Sequence, residues 1–298
     1  MRYGRTRQHR QGPEKRQDYI YLPRDDLELR AVMKRYEEMG IPGAMGSVDV
    51  VHVKWSNCPA GDFNRAKGKQ SYPSLAFECI TDFDRRICHV HGPQFGTRND
   101  KHIVKMDIGV GAIEKNYSHV PWQYFDEYGV IHEETGAFLI CDNGYLHWPT
   151  LICPFMRSEG SSPLESCFST NIESIRKDVE CCFGILKSRW KSLDFGFKHR
   201  RIQICQHTFF ACCVLHNMML DEMVREEPPP RLGRGCQMPN DGVWLEGASE
   251  LPKSNENTSR RCTLLKLQFH RRRNLLAHHL WVWKSKCKNR EIVPNSIA

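Results

Sequence analysis

The sequence predicts an α/β fold, a mixed sheet flanked by helices with basic extensions at both ends, on three observations. Short β-branched runs punctuated by turns mark strands in the first half. Two long segments in the second half repeat apolar residues every three or four positions, as core helices do. Acidic residues stand inside or just after predicted strands and again on a later helix, an order by which a mixed sheet can gather carboxylates at one edge.

Residues 25–39 read as a short helix, with Leu27, Leu29, Val32, Met33 and Tyr36 as its apolar side and Gly40 as its stop. Residues 46–55 turn extended: Val48, Val50, Val51 and Val53 surround Asp49. Strands near 72–81 and 85–91, joined by a turn at 82–84, complete a three-stranded meander. After residue 100 the pattern is mixed until the short apolar strand 137–141, which delivers Asp142-Asn143-Gly144-Tyr145. A long helix over 171–191 follows, with Ile172, Ile175, Val179, Cys182, Leu186 and Trp190 as its apolar stripe, and then a second apolar helix over 202–220. The organisation expected is a basic tail without regular structure (1–24), one α/β domain with a short leading helix (25–222), a Pro-rich and acidic linker (223–259) and a basic helical segment (260–298).

With 298 residues the chain can bury a full core. It contains no uninterrupted run of eighteen apolar residues, and its first 16 residues are polar and basic, so neither a membrane span nor a secretory signal is expected and the chain is read as intracellular. Its fourteen cysteines include no C-x-x-C pair, which removes the usual zinc spacing and leaves reduced core thiols. Cys212 and His216, four apart on a predicted helix, are read as packing. The net charge of +8 is unevenly spread: residues 1–17 hold six Lys/Arg against one acid, residues 260–290 hold ten against none, and the remainder sums to −7. Basic arms around an acidic middle suit polyanion contact at the ends and cation binding in the centre.

The segment from Arg176 to Lys187 places Arg176, Glu180 and Lys187 on one narrow face of a helix, opposite the apolar stripe. Guanidinium, carboxylate and ammonium side by side can hold a metal and a phosphate together; the same face can also be a set of solvated ion pairs. Asp49 inside a valine-rich strand is costly unless paired or metal-bound, although it could equally face solvent.

These residues carry a resemblance to a known family. Gly46-Ser47-Val48-Asp49, Gly96-Thr97-Arg98-Asn99-Asp100, Asp142-Asn143-Gly144-Tyr145, the Arg176–Glu180–Lys187 pattern and Leu215-His216-Asn217 occur in the order found in Harbinger transposases and the nuclease-like proteins derived from them, across roughly residues 40–220. The resemblance implies an RNase H-like fold and a DDE endonuclease, with Asp49, Asp142 and Glu180 as the catalytic triad. It also implies Asp100 as a further metal ligand and two divalent ions, Mg²⁺ or Mn²⁺, as cofactors. Such ions would neutralise the crowded acids through oxygen ligands and could support in-line phosphodiester displacement, with hydrolytic nicking as the basic reaction and strand transfer as a second. Arg176 and Lys187 would then position phosphate. Asp100 lies in a turn-like context where Asp also caps helices.

Double-stranded DNA is the expected partner, with a Myb-like DNA-binding protein and a second copy of the chain as further partners and the nucleus as location. Arg271, Arg272 and Arg273 in the basic carboxyl-terminal segment are expected to touch DNA, while Leu264, Leu267, Leu275, Leu276, Leu280 and Trp283 could instead pack that helix on the domain. Glu173 stands where related bacterial enzymes carry Tyr. About 40 residues precede the first motif, too few for the helix-turn-helix of complete members, so a truncated copy is expected. A DNA-binding or partner-binding protein that no longer cleaves, or a decayed transposon fragment, remain as rival readings.

Overall fold

The computed structural model describes residues 19–156, 162–223 and 256–289. The amino-terminal tail through residue 18 and the linker between 224 and 255 lie outside the described residues.

Helix α1 (Asp26–Glu37) starts where Asp25 accepts hydrogen bonds from the Leu27 and Glu28 amides, and it buries Leu29, Met33 and Tyr36. Its stop is Gly40 at φ +78°, a left-handed conformation; a Cβ there would also come within 2.8 Å of Leu280 and Trp283. Strands β1 (Ala44–Lys54), β2 (Ser74–Thr81) and β3 (Ile87–Phe95) form the expected antiparallel meander. Beyond β1 the sheet continues in parallel through β6 (Phe138–Ile140) and β7 (Leu151–Ile152), in the order β3-β2-β1-β6-β7.

The stretch read as mixed contains two helices, α2 (Asp100–Met106) and α3 (Ile108–Tyr117), and a separate hairpin of β4 (Pro121–Phe125) and β5 (Ile131–Thr135). Their short lengths and partial burial leave little periodicity to read.

Helix α4 (Pro163–Arg189) begins eight residues before the expected start, with a capping box between Ser162 and Glu165 and Pro163 in its first turn. It spans two cores. Phe168, Ile172 and Ile175 join α1, α3 and one face of the sheet, while Val179, Cys182, Phe183 and Leu186 join the other face and helix α5 (Ile202–Met223). The crossing falls between 175 and 179, next to Arg176 and Glu180.

Helix α6 (Glu256–Lys288) starts inside the expected linker and packs Phe269, Leu276, Ala277 and Leu280 into the first core. Of the residues expected to pack there, Leu276 and Leu280 are buried and Leu275 and Trp283 half-buried against this core, whereas Leu264 and Leu267 are exposed. Among the described residues every cysteine is a free thiol, and no helix is long and apolar enough to cross a membrane.

Candidate active site

Asp49 is placed by β1 and Asp142 by the loop that leaves β6. Ser47 pairs with Ile140 across these parallel strands, so two residues further along each strand brings Asp49 level with Asp142. Strand alternation puts Asp49 with Val51 and Val53 on the face covered by the second half of α4, which supplies Arg176 and Glu180. One guanidinium nitrogen of Arg176 lies 2.7 Å from Glu180 Oε1 and 3.6 Å from Asp49 Oδ2. Arg176 thus bridges two members of the predicted triad.

The third side of the site is the loop Asp142-Asn143-Gly144-Tyr145. The Gly144 amide donates to Asp142 Oδ1 at 2.8 Å. A Cβ on Gly144 would stand 2.9 Å from both Asp142 Oδ1 and Asp100 Oδ2, so glycine leaves open the space these two carboxylates share. Asp100 is the first residue of α2; the cap itself is Asn99, whose side chain accepts from the His102 amide. The capping role that competed with metal binding for Asp100 belongs to its neighbour.

The electrostatics fit a site short of positive charge. Burial pushes the Asp49 carboxyl up to about 6; the Val50 amide and Arg176 oppose the shift, and the charges of Asp142 and Glu180 add to it. Asp100 is raised as well, by burial and then by Asp142, with Lys69 opposing. Arg176 is held in its charged form, since Glu180 and Asp49 outweigh the effect of burial. Lys187 is half-buried, which lowers its pKa, and it donates to the His52 carbonyl at 3.3 Å.

An oxygen-only donor set around a space kept open by glycine fits a hard divalent cation. Asp100 and Asp142 converge on that space, Asp49 joins them electrostatically, and Glu180 is engaged by Arg176. Among the described residues no three acid, histidine or cysteine side chains close on one point.

Two of the arginines expected on DNA are elsewhere. Arg273 is 3 % exposed, lies over the Phe155 and Phe269 rings and donates to the Pro154 carbonyl. Arg272 donates to the carbonyls of Pro149 and Thr135, and burial lowers its pKa. Both fasten α6 to the domain, which corrects their assignment to DNA. Arg271 is exposed but paired with Glu134 at 2.7 Å.

Sequence reasoning missed Lys69, which acts on both Asp100 and His52. It also missed a buried polar group behind the site. His89 Nε2 lies 2.7 Å from Asp107 Oδ1, and the fully buried Glu78 carboxyl lies beside Asp107 and the Tyr145 hydroxyl. Glu78 is driven well above the carboxylate range by burial and by Asp107. The Tyr in Asp-Asn-Gly-Tyr hinted at this layer, whereas Glu78, in a strand β2 that is buried along its whole length, gave no sign of it.

A profile of the family described as plant transposon protein matches residues 18–227. The chain belongs to that family. It is 22% identical over 202 residues to "Protein ALP1-like" of Arabidopsis thaliana, covering 65% of this chain and 47% of the relative. It is 25% identical over 231 residues to "Putative nuclease HARBI1" of Bos taurus and 24% identical over 231 residues to the Homo sapiens protein of the same name, in each case covering 76% of this chain and 61% of the relative. The chain thus spans about half to three fifths of the length of these curated relatives. The resemblance to Harbinger-derived, DDE-type nuclease-like proteins is borne out. No solved structure matches the chain.

Proposed function

We propose that this protein is a divalent-metal-dependent DNA endonuclease of RNase H-like fold, cleaving phosphodiester bonds at the edge formed by Asp49, Asp100, Asp142 and Glu180, with strand transfer as a second step. The observation that carries the reading is the shared space beside Gly144, faced at the same short distance by carboxylate oxygens from two distant segments. An antiparallel meander continued by parallel strands, with acids on the adjacent β1 and β6 segments and a third on α4, is in keeping with the fold. The name "Putative nuclease HARBI1" of two relatives supports the same class of activity.

Asp49, Asp100 and Asp142 would hold Mg²⁺ or Mn²⁺, with Glu180 completing the set. Bound there, the ions would supply a lowered pKa for an attacking water or 3′-hydroxyl and offset charge on the leaving oxygen. The chain's own part is positioning. Arg176 stands between Asp49 and Glu180, where its guanidinium can donate to a phosphate oxygen in place of a carboxylate. Lys187, anchored on the His52 carbonyl, presents a second cation from the same helix.

The Arg176–Glu180 pair favours one rival, a DNA-binding protein whose acids stay neutralised by arginine. Supercoiled plasmid incubated with the protein and Mg²⁺, Mn²⁺ or EDTA separates the two. Nicking with metal that disappears with EDTA, and in Asp142→Asn, is expected; DNA binding with no nicking under any metal would favour the rival.

A further inference from the structure

With two of the three candidate arginines on α6 committed to the fold, the site needs a phosphate-binding surface elsewhere. The loop between α4 and α5 is held by its main chain. The Lys198 carbonyl accepts from Asn57 Nδ2 at 2.6 Å, the His199 carbonyl accepts from Trp55 Nε1 at 2.7 Å, and the amide of Phe197 donates to the Lys54 carbonyl at 2.8 Å. Trp55 is itself buried, so the anchor is rigid. This fastening uses backbone atoms and leaves the side chains of Lys198, Arg200 and Arg201 exposed.

The cations continue from this loop toward the acids. Lys54, at the end of β1, is exposed, with its ammonium over the Tyr72 ring at 5.7 Å. Lys187 holds the His52 carbonyl two residues earlier on the same strand. Among the described residues no carboxylate lies within ion-pair distance of any of these five cations, whereas on α6 Arg261 and Arg271 face Glu114 and Glu134. Unneutralised cations on a fixed scaffold are what a phosphate backbone selects.

We propose that the rim from Lys187 through Lys54 to the Lys198–Arg201 loop is the track that binds the phosphate backbone of duplex DNA and leads it to the acids. The proposal deepens the nuclease reading and rests on it for the direction of travel, but binding itself needs no catalysis. Because the loop is anchored through carbonyls, replacing its side chains leaves its position intact.

The test is fluorescence anisotropy of a short labelled duplex in EDTA across a salt series, comparing the parent with Lys198→Gln/Arg200→Gln/Arg201→Gln and with Arg261→Gln/Lys266→Gln/Arg271→Gln, which removes equal charge from α6. The loop variant should bind at least tenfold more weakly at low salt. The slope of its log–log salt dependence should flatten by about 0.9 for each phosphate it no longer neutralises. The α6 variant should change far less. Equal effects from both variants, an unchanged slope in the loop variant, or no duplex binding by the parent would overturn the track. Weakening confined to the loop variant, in a protein that nicks no plasmid, would uphold the track and remove the nuclease reading.

Discussion

The acid edge and the α6 clamp treat arginine in opposite ways. At the clamp, Arg272 and Arg273 meet carbonyl oxygens and aromatic faces that hold the helix to the domain. At the edge, Arg176 is shared between Asp49 and Glu180, while Asp100 and Asp142 face one another's space, with Lys69 opposing only part of the rise in the Asp100 pKa. The clamp's arginines are committed to fastening a helix, whereas the edge gathers acids around one arginine, which marks one as structural and the other as a place where a cation or a phosphate belongs.

The largest effect expected from this contrast is at the clamp. Arg273→Ala removes the guanidinium from two aromatic rings along with a charge-assisted hydrogen bond, and should cost about 3 kcal/mol of stability. Arg271→Gln, beside it but exposed, should change stability by no more than about 0.5 kcal/mol. Urea denaturation of both variants checks the pair; equal losses would erase the distinction between a fastening and a surface arginine.

His279 gives the clamp an acid limit. Its Nδ1 accepts from the Phe125 amide at 2.9 Å, and burial lowers its pKa to about 4. The unfolded imidazole takes up a proton near pH 6.5, which the folded one refuses until about pH 4. Its stabilising contribution is therefore complete above pH 6.5 and lost as pH falls toward 4, on the order of 2–3 kcal/mol. His279→Gln, whose carbonyl can still accept from the amide, should flatten that part of the stability–pH curve.

Asp49 has the opposite sign. Its folded pKa of about 6 lies above the ordinary carboxylate value, so the stability it contributes is present below about pH 4 and lost as pH rises through 6. Asp49→Asn should therefore gain about 1–2 kcal/mol at pH 8 without metal, less whatever Arg176 loses, and gain little at pH 4. Thermal melts at the two pH values check it; a destabilised variant at pH 8 would mean that Arg176 already compensates the site.

The legible parts of the molecule were those with a period or a motif. The valines around Asp49 foretold β1, and the stripe from Ile172 to Leu186 foretold α4 and its buried face. The meander followed from β-branched runs and one turn. Helices α2 and α3 and the β4–β5 hairpin escaped because their elements are short and half-covered. The run Arg271-Arg272-Arg273 misled for another reason: on a helix three successive residues face three directions, so one points to solvent and another into the core. Which does which depends on partners such as Pro154 and Phe155, far away in sequence. The convergence of Asp100 with Asp142 at Gly144 was likewise a fact of folding, since 41 residues separate the two acids.

The claim that the acid edge awaits a divalent cation is tested most directly by calorimetric titration of Mn²⁺ into the parent and into Asp142→Asn at pH 7.5. Saturable binding is expected for the parent, with little proton release from Asp49, which titrates at about 6 and is already ionised at this pH, and loss of binding is expected in the variant. A parent that binds no Mn²⁺ at millimolar concentrations, or a variant that binds it unchanged, would contradict the account.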